Sequence, residues 1–319
     1  MSLCGLISFA IPEYFHFKEA YWATVTISAI TRPSFSATFV KAILRLTGTL
    51  IGAWMGYVVA EQIGMSPYAL FFAILIFSTI TSYIGLQIRP YNYLSVVAGF
   101  SAVIVIESVL LGNIKEVAVY RTFEVCLGII VMAVVSTIMS KCIAKDHALI
   151  DHDVPENIIE VFEHIHFSKH DLFDALVISL TASLSFLSWM IFRYPQGVWV
   201  TITLFVIMED SIKKTGEKGW ARFLGQVAAA IVGSAVAIFF PSNIIVIGIT
   251  LGLGFFLCGM LIGYDTKLSA TGNHAGTALA IMLLAGLPQD SISLVAGRFF
   301  NVLAGIIIAT VVTSLLYKE

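Results

Sequence analysis

Residues 22–60 read WATVTISAITRPSFSATFVKAILRLTGTLIGAWMGYVVA, and residues 199–237 read WVTITLFVIMEDSIKKTGEKGWARFLGQVAAAIVGSAVA. The two stretches align without a gap and share 13 of 39 residues. Trp22, Thr24 and Thr26 match Trp199, Thr201 and Thr203, while Lys41, Arg45 and Gly48 match Lys218, Arg222 and Gly225. Apolar composition alone pairs Leu with Leu, but rarely brings Trp, Lys, Arg and Gly into one register. The same offset of 177 continues outward. Ala98-Gly99 meets Ala275-Gly276, Arg121-x-Phe123 meets Arg298-x-Phe300, and Gly128-Ile129-Ile130 meets Gly305-Ile306-Ile307. The pattern predicts an internal duplication covering most of the chain.

The solvent for both copies is lipid. Of 319 residues, 58% are hydrophobic and 12% charged, where a soluble domain carries about 25% charged residues. Mean hydropathy is +0.93. So little charge cannot cover a water-facing surface, and a net charge of −2 gives no footprint for nucleic acid. Cys4, Cys126, Cys142 and Cys258 lie in or beside apolar runs with no zinc or disulfide spacing, so they read as packing residues. With Lys18 the first basic residue, no cleavable signal peptide is expected.

About 20 apolar residues span a bilayer core. Nine runs meet that length, among them 42–59, 93–111, 172–191, 269–287 and 292–316. Three more are short: Ser2–Ile11 before Pro12, Ala20–Thr31 before Arg32-Pro33, and Gly197–Met208 before Glu209-Asp210. Counting all gives twelve. With both termini inside, 13 of the 18 Lys and Arg fall on the cytoplasmic side and 5 outside, as the positive-inside rule requires. The fold expected is an all-α integral membrane protein of about twelve transmembrane helices, in two six-helix repeats. An even number of spans per copy makes the repeats parallel, about an axis along the membrane normal. Residues 1–142 form the first repeat, 143–171 a cytoplasmic link and 172–319 the second. In the link, Asp153-Val154-Pro155-Glu156 reads as a helix start. Ile158, Ile159, Phe162 and Ile165 then follow at helical spacing. An amphipathic helix on the membrane surface and a solvated linker helix both fit.

Several of these segments resemble the fusaric acid resistance family. The resemblance is carried by Tyr21-Trp22-Ala23-x-x-Thr26 with Pro33 beyond it, and by Lys41-x-x-x-Arg45-x-x-Gly48-x-x-x-Gly52-Ala53. Tyr93-x-x-x-x-Ala98-Gly99-Phe100-Ser101-Ala102 and Arg121-x-x-Glu124-x-x-x-Gly128 add to it. The family includes bacterial aromatic-acid exporters and is similar to plant aluminium-activated malate transporters. The resemblance implies export of organic, often aromatic, carboxylates. Bacterial members often carry a large cytoplasmic domain between the halves, and here the link is under thirty residues.

No nucleophile motif and no P-loop is present, so neither an enzyme nor an ATP-driven pump is expected, and no cofactor. Ionisable residues within spans are the better leads, because charge in lipid is expensive. Arg121 and Arg298 open the last span of each half and read as anion-attracting residues; helix-fixing ion pairs or snorkelling are the plainer alternative. Arg45 and Arg222 near the ends of the third spans suit a cytoplasmic gate or a topology anchor. Glu124, three residues after Arg121 on the same helix face, is a proton-coupling candidate, as are Glu107 and His274. The short paired segments point to a transporter's site, since broken helices expose ends that hold charge. There Trp22 and Trp199 could stack on a ring and Thr24, Thr26, Thr201 and Thr203 could donate hydrogen bonds, or the tryptophans could serve as interfacial anchors. His164, His166 and His170 beside Glu163 offer metal ligands, but the i,i+2 pair faces different sides of a helix, so a solvated linker is preferred and no metal is expected. The reading is a secondary transporter of small organic anions in the inner membrane. A passive anion channel and a substrate-free assembly protein are the alternatives. A periplasmic adaptor or a second copy would complete the partners beside lipid.

Overall fold

The computed structural model describes all residues except 16, 18–20, 65, 89–90, 113, 143–165, 242, 265, 286–290 and 318–319. Among the described residues it is helical throughout. The elements are α1 (Ser2–Tyr14), α2 (Tyr21–Ile30), α3 (Phe35–Ile63), α4 (Pro67–Gln87), α5 (Tyr93–Glu107), α6 (Ile114–Cys142), α7 (Lys169–Phe192), α8 (Val198–Ile207), α9 (Ile212–Phe239), α10 (Ile244–Tyr264), α11 (Thr266–Leu284) and α12 (Ser291–Leu316). The expected count of twelve helices holds. Seven of them, α3, α4, α6, α7, α9, α10 and α12, are each long and apolar enough to cross a bilayer alone.

That is two fewer than the nine clear runs expected. The run 93–111 breaks after Glu107 into a 3-10 turn over Ser108–Leu111. The run near 269–287 becomes α11, which carries Lys267, Asn273 and His274. Two boundaries also move. Helix α1 continues through Pro12 to Tyr14; a proline in the last turn removes only one backbone hydrogen bond. Helix α7 begins at Lys169, before Leu172, because Ser168 Oγ accepts the Asp171 N–H and an acidic first turn suits the helix N-terminus. The helix expected over 158–165 lies outside the described residues.

The chain also divides into two compact units, neither of which is a continuous half of the sequence. One comprises 1–42, 123–152 and 220–299; the other comprises 43–122, 153–219 and 300–319. In the first, α1 packs on α10 and α2, α2 on α11, and α10 on α11. In the second, α7 packs on α4 and α8, α5 on α8, and α4 on α5. Each unit thus surrounds one ten-residue apolar helix, α2 or α8. At 1.5 Å per residue, ten residues cover only about half of a ~30 Å apolar core. Helices this short and apolar all round belong inside a protein. Accordingly, Ala23, Val25 and Ile27 of α2 and Val200, Ile202 and Leu204 of α8 are buried.

Close helix contact depends on glycine. Gly48, Gly52 and Gly56 recur every fourth residue along α3 and face α5. A Cβ at Gly48 would lie 2.6 Å from the Leu94 carbonyl oxygen, and one at Gly56 would lie 2.8 Å from that of Ala102. Small residues at this spacing let membrane helices approach through their backbones. The outer surface carries Ile51, Trp54, Phe72, Ile76, Leu253 and Phe256, while Thr24, Ser28, Ser101, Thr203 and several charged residues are buried. Apolar side chains outside and polar ones inside is the distribution lipid imposes.

Candidate functional site

Among the described residues, each unit buries two arginines. In the unit containing α5, Arg45 comes from α3 and Arg121 from α6; they are 3% and 0% exposed. Both approach Phe100, with guanidinium carbons 5.9 Å and 5.6 Å from its ring centre. Arg45 Nη1 donates to Tyr93 Oη at 3.1 Å, and Arg121 Nη2 reaches Ser101 Oγ at 3.5 Å. Tyr93, Phe100 and Ser101 all lie on α5. Behind them, Gly99 lets the ring of Phe205 approach to 3.1 Å from where its Cβ would stand. The two guanidiniums approach one face of α5, where a ring and two hydroxyls meet them in interactions that strengthen as water is removed.

The other unit has the matching pair. Arg222 of α9 and Arg298 of α12 are 7% and 3% exposed, and Arg298 lies within electrostatic range of Arg222 and Tyr21. Position 277 there is threonine and position 270 alanine, so the ring and phenol that serve Arg45 and Arg121 have no equivalent at those positions. Glu124 is fully buried on α6. Glu107 ends α5 and is half-buried. His274 is half-buried on α11, its Cβ 3.0 Å from the Cβ position of Gly225. The side chain of Asn301, at the place of Glu124 in the duplicate register, donates to the Pro195 carbonyl at 2.8 Å.

The short helices are internally hydrogen-bonded in the same manner. Thr26 Oγ1 donates to Trp22 O at 2.8 Å, and Thr203 Oγ1 donates to Trp199 O at 2.7 Å. Ser8 Oγ donates to Thr24 Oγ1 and Thr201 Oγ1 to Ser185 Oγ, each at 3.2 Å. Three of the four threonine protons proposed for a substrate are therefore given to protein acceptors in this state. Trp22 and Trp199 are 4% and 8% exposed, and Trp199 Nε1 donates to Gln196 Oε1. Rings this buried are not lipid-facing anchors.

A second polar cluster was not read from the sequence. Asp174 of α7 is fully buried. Its Oδ1 accepts from Tyr317 Oη at 2.6 Å and its Oδ2 lies 3.0 Å from His170 Nδ1. Asp171 accepts from Gln87, and Tyr83 Oη accepts the Ser168 N–H. Burial, then the bond to Asp174 and the charges of Asp174 and Asp210, push the Tyr317 phenol above its ordinary range. His170, Asp171 and Asp174 each offer one ligand atom, all within 4.8 Å of one another; His164 lies outside the described residues. Among the free cysteines, Cys4 and Cys258 are buried, and Cys4 Sγ lies 3.7 Å from Met132 Sδ.

Helices with apolar exteriors, broken short helices in their interior and buried guanidiniums define a multi-pass membrane protein with a polar interior. The chain belongs to the fusaric acid resistance protein-like family, whose pattern it matches over residues 6–135 and 180–312. No curated protein and no solved structure is detectably similar to it. The family and the several apolar helices make it a membrane protein of transporter or exporter type.

Proposed function

We propose that the chain is a secondary transporter that exports organic carboxylate anions, aromatic ones among them, through a path attended by Arg45, Arg121, Arg222 and Arg298. The observation that carries this reading is the burial of all four, each no more than 7% exposed, inside helices whose outer faces are apolar. Ionisable residues buried in a membrane protein face its interior and mark substrate or ion paths. A guanidinium suits a carboxylate there because it can hold one by two parallel hydrogen bonds. The family relationship favours the same substrate class.

The proposed architecture is two parallel six-helix copies in the inner membrane, with both termini and the link cytoplasmic. Three observations support the duplication. Helices α2 and α8, and likewise α4 and α10, begin and end 177 residues apart. The backbone N–H of Arg32 bonds Thr38 Oγ1 as that of Glu209 bonds Thr215 Oγ1. Gly128 accommodates Thr26 as Gly305 accommodates Thr203. In this reading Trp22, Trp199, Thr26 and Thr203 line the broken-helix region and take up substrate when the helices rearrange. Glu124, Glu107 and His274 are the candidates for coupling to protons. Reconstitution into proteoliposomes with a panel of aromatic and aliphatic carboxylates tests the reading. Saturable flux that collapses with the proton gradient is expected. Flux that persists after collapse of every cation gradient converts the assignment to a channel, and no flux of any carboxylate removes the transport reading.

A further inference from the structure

Beside the short helix α8, and wholly inside the second unit, lies a cavity of about 20 Å³ whose polar walls are oxygen-rich. Ser82 of α4, Asn92 and Ser95 at the start of α5, and Glu209 just after α8 face it, with Phe205 and Ile178 among its apolar walls. Asn92 Oδ1 and Ser95 Oγ converge over Gly85, lying 2.5 Å and 2.9 Å from where a Cβ would stand; a side chain at that position would fill the site. Ser95 is 3% exposed, and its hydroxyl has no hydrogen-bond partner among the described residues. A buried hydroxyl without a partner costs about 1–3 kcal/mol, a cost that an oxygen-seeking ligand in the cavity would offset.

The donor set identifies that ligand. Two hydroxyls, an amide oxygen and one carboxylate are hard oxygen donors, which suit hard cations and not thiophilic ones. A single carboxylate favours one positive charge over two. The volume of about 20 Å³ passes the roughly 10–15 Å³ that one water-sized occupant needs. The C-terminal ends of α4 and α8 turn their partial negative charge toward this region. The N-terminal end of α5 opposes them, but a helix end carries only about half a charge, and the Glu209 carboxylate carries a whole one.

We propose that this cavity binds a single sodium-sized cation, with Ser82, Asn92, Ser95 and Glu209 supplying oxygens. Lys218 pairs with Glu209 Oε1, so the lysine ammonium and the cation compete for one carboxylate. The site occurs in one unit only. In the duplicate register Ser82, Ser95 and Glu209 become Gly259, Gly272 and Arg32, which removes two hydroxyls and reverses the charge. Binding stands independently of the transport reading; only its use as a coupling ion rests on that reading.

Thermal unfolding of the purified full chain in nanodiscs tests binding without any flux measurement. Equal ionic strengths of sodium, potassium and choline chloride are compared at fixed pH. Sodium is expected to raise Tm in a saturable manner over both other salts. Ser95→Ala and Glu209→Gln should each weaken the half-saturating sodium concentration at least tenfold. Lys218→Ala should tighten it severalfold, a direction that a merely structural lysine does not produce. Identical Tm in all three salts overturns the proposal. So does equal stabilisation by sodium and potassium, or an unchanged sodium response in folded Ser95→Ala. Sodium binding without carboxylate flux would retain the site and reject the transport function instead.

Discussion

Arg121→Lys separates an anion-holding arginine from a packing one. Arg121 is fully buried beside Phe100 and Ser101, and lysine keeps the charge over the ring while losing the two-pronged donor. A hydrogen bond to a charged partner is worth about 1.5–3 kcal/mol. At about 1.4 kcal/mol per tenfold, losing one of two such bonds to a carboxylate weakens binding roughly tenfold to 150-fold. The expected signature is a KM raised by that factor with the maximal rate little changed, because the bond serves substrate and transition state alike. Initial rates of carboxylate uptake into proteoliposomes measure it, with unfolding temperature as the control for folding. Lys115, on the same helix but exposed, is the internal standard, and Lys115→Ala should leave KM within about twofold. Arg298→Lys repeats the test in the other unit. Folded Arg121→Lys and Arg298→Lys proteins with wild-type KM would refute the reasoning and leave both arginines a structural role.

Phe100→Leu should lower stability by about 1–4 kcal/mol, because two buried cation–π contacts of about 0.5–2 kcal/mol each are lost. Added benzoate should recover more of that loss than it adds to wild type, and an equal benzoate effect in both proteins counts against an anion between the arginines. Gly52→Leu drives a side chain into the Ala98 carbonyl and Ser101, so Tm should fall by the equivalent of at least about 1–3 kcal/mol; an unchanged Tm contradicts the close α3–α5 contact. Glu124→Gln should uncouple flux from the pH gradient more than Glu107→Gln, and wild-type pH dependence in Glu124→Gln removes it from the coupling role. A cysteine placed at Asp151 should react only from the cytoplasmic side, and labelling from outside in intact cells reverses the proposed topology.

The helices were legible because lipid enforces long apolar runs, and the two short ones because Arg32-Pro33 and Glu209-Asp210 interrupt them. The arginines were legible because charge in an apolar run has few explanations. Phe100 was not: one phenylalanine in VVAGFSAVIVI carries no mark of the two guanidiniums beside it. The 3-10 break after Glu107 and the grouping of α1 and α2 with α10 and α11 depend on contacts between distant segments, which periodicity does not encode. The oxygen cavity was hidden for the same reason, since Ser95 and Glu209 meet only when α5 packs on α8. One signal was available. Comparing the two registers position by position marks Glu209 against Arg32 as a reversal of charge.

Under the proposed duplication, what the copies share and where they differ follow a physical division of labour. The buried arginines occur in both, at 45 and 222 and at 121 and 298. The acids do not: Glu124 faces Asn301, Glu107 faces Leu284, and Glu209 faces Arg32. An anion that meets guanidiniums in both copies has more than one place to bind along its route, so repeating them is useful. A coupling ion needs only one site, and a second carboxylate near the path would repel the anion being carried. Its ligands are therefore expected once, and Ser82 and Ser95 of the first copy meet Glu209 of the second within one compact unit, with no equivalent set among the described residues of the other.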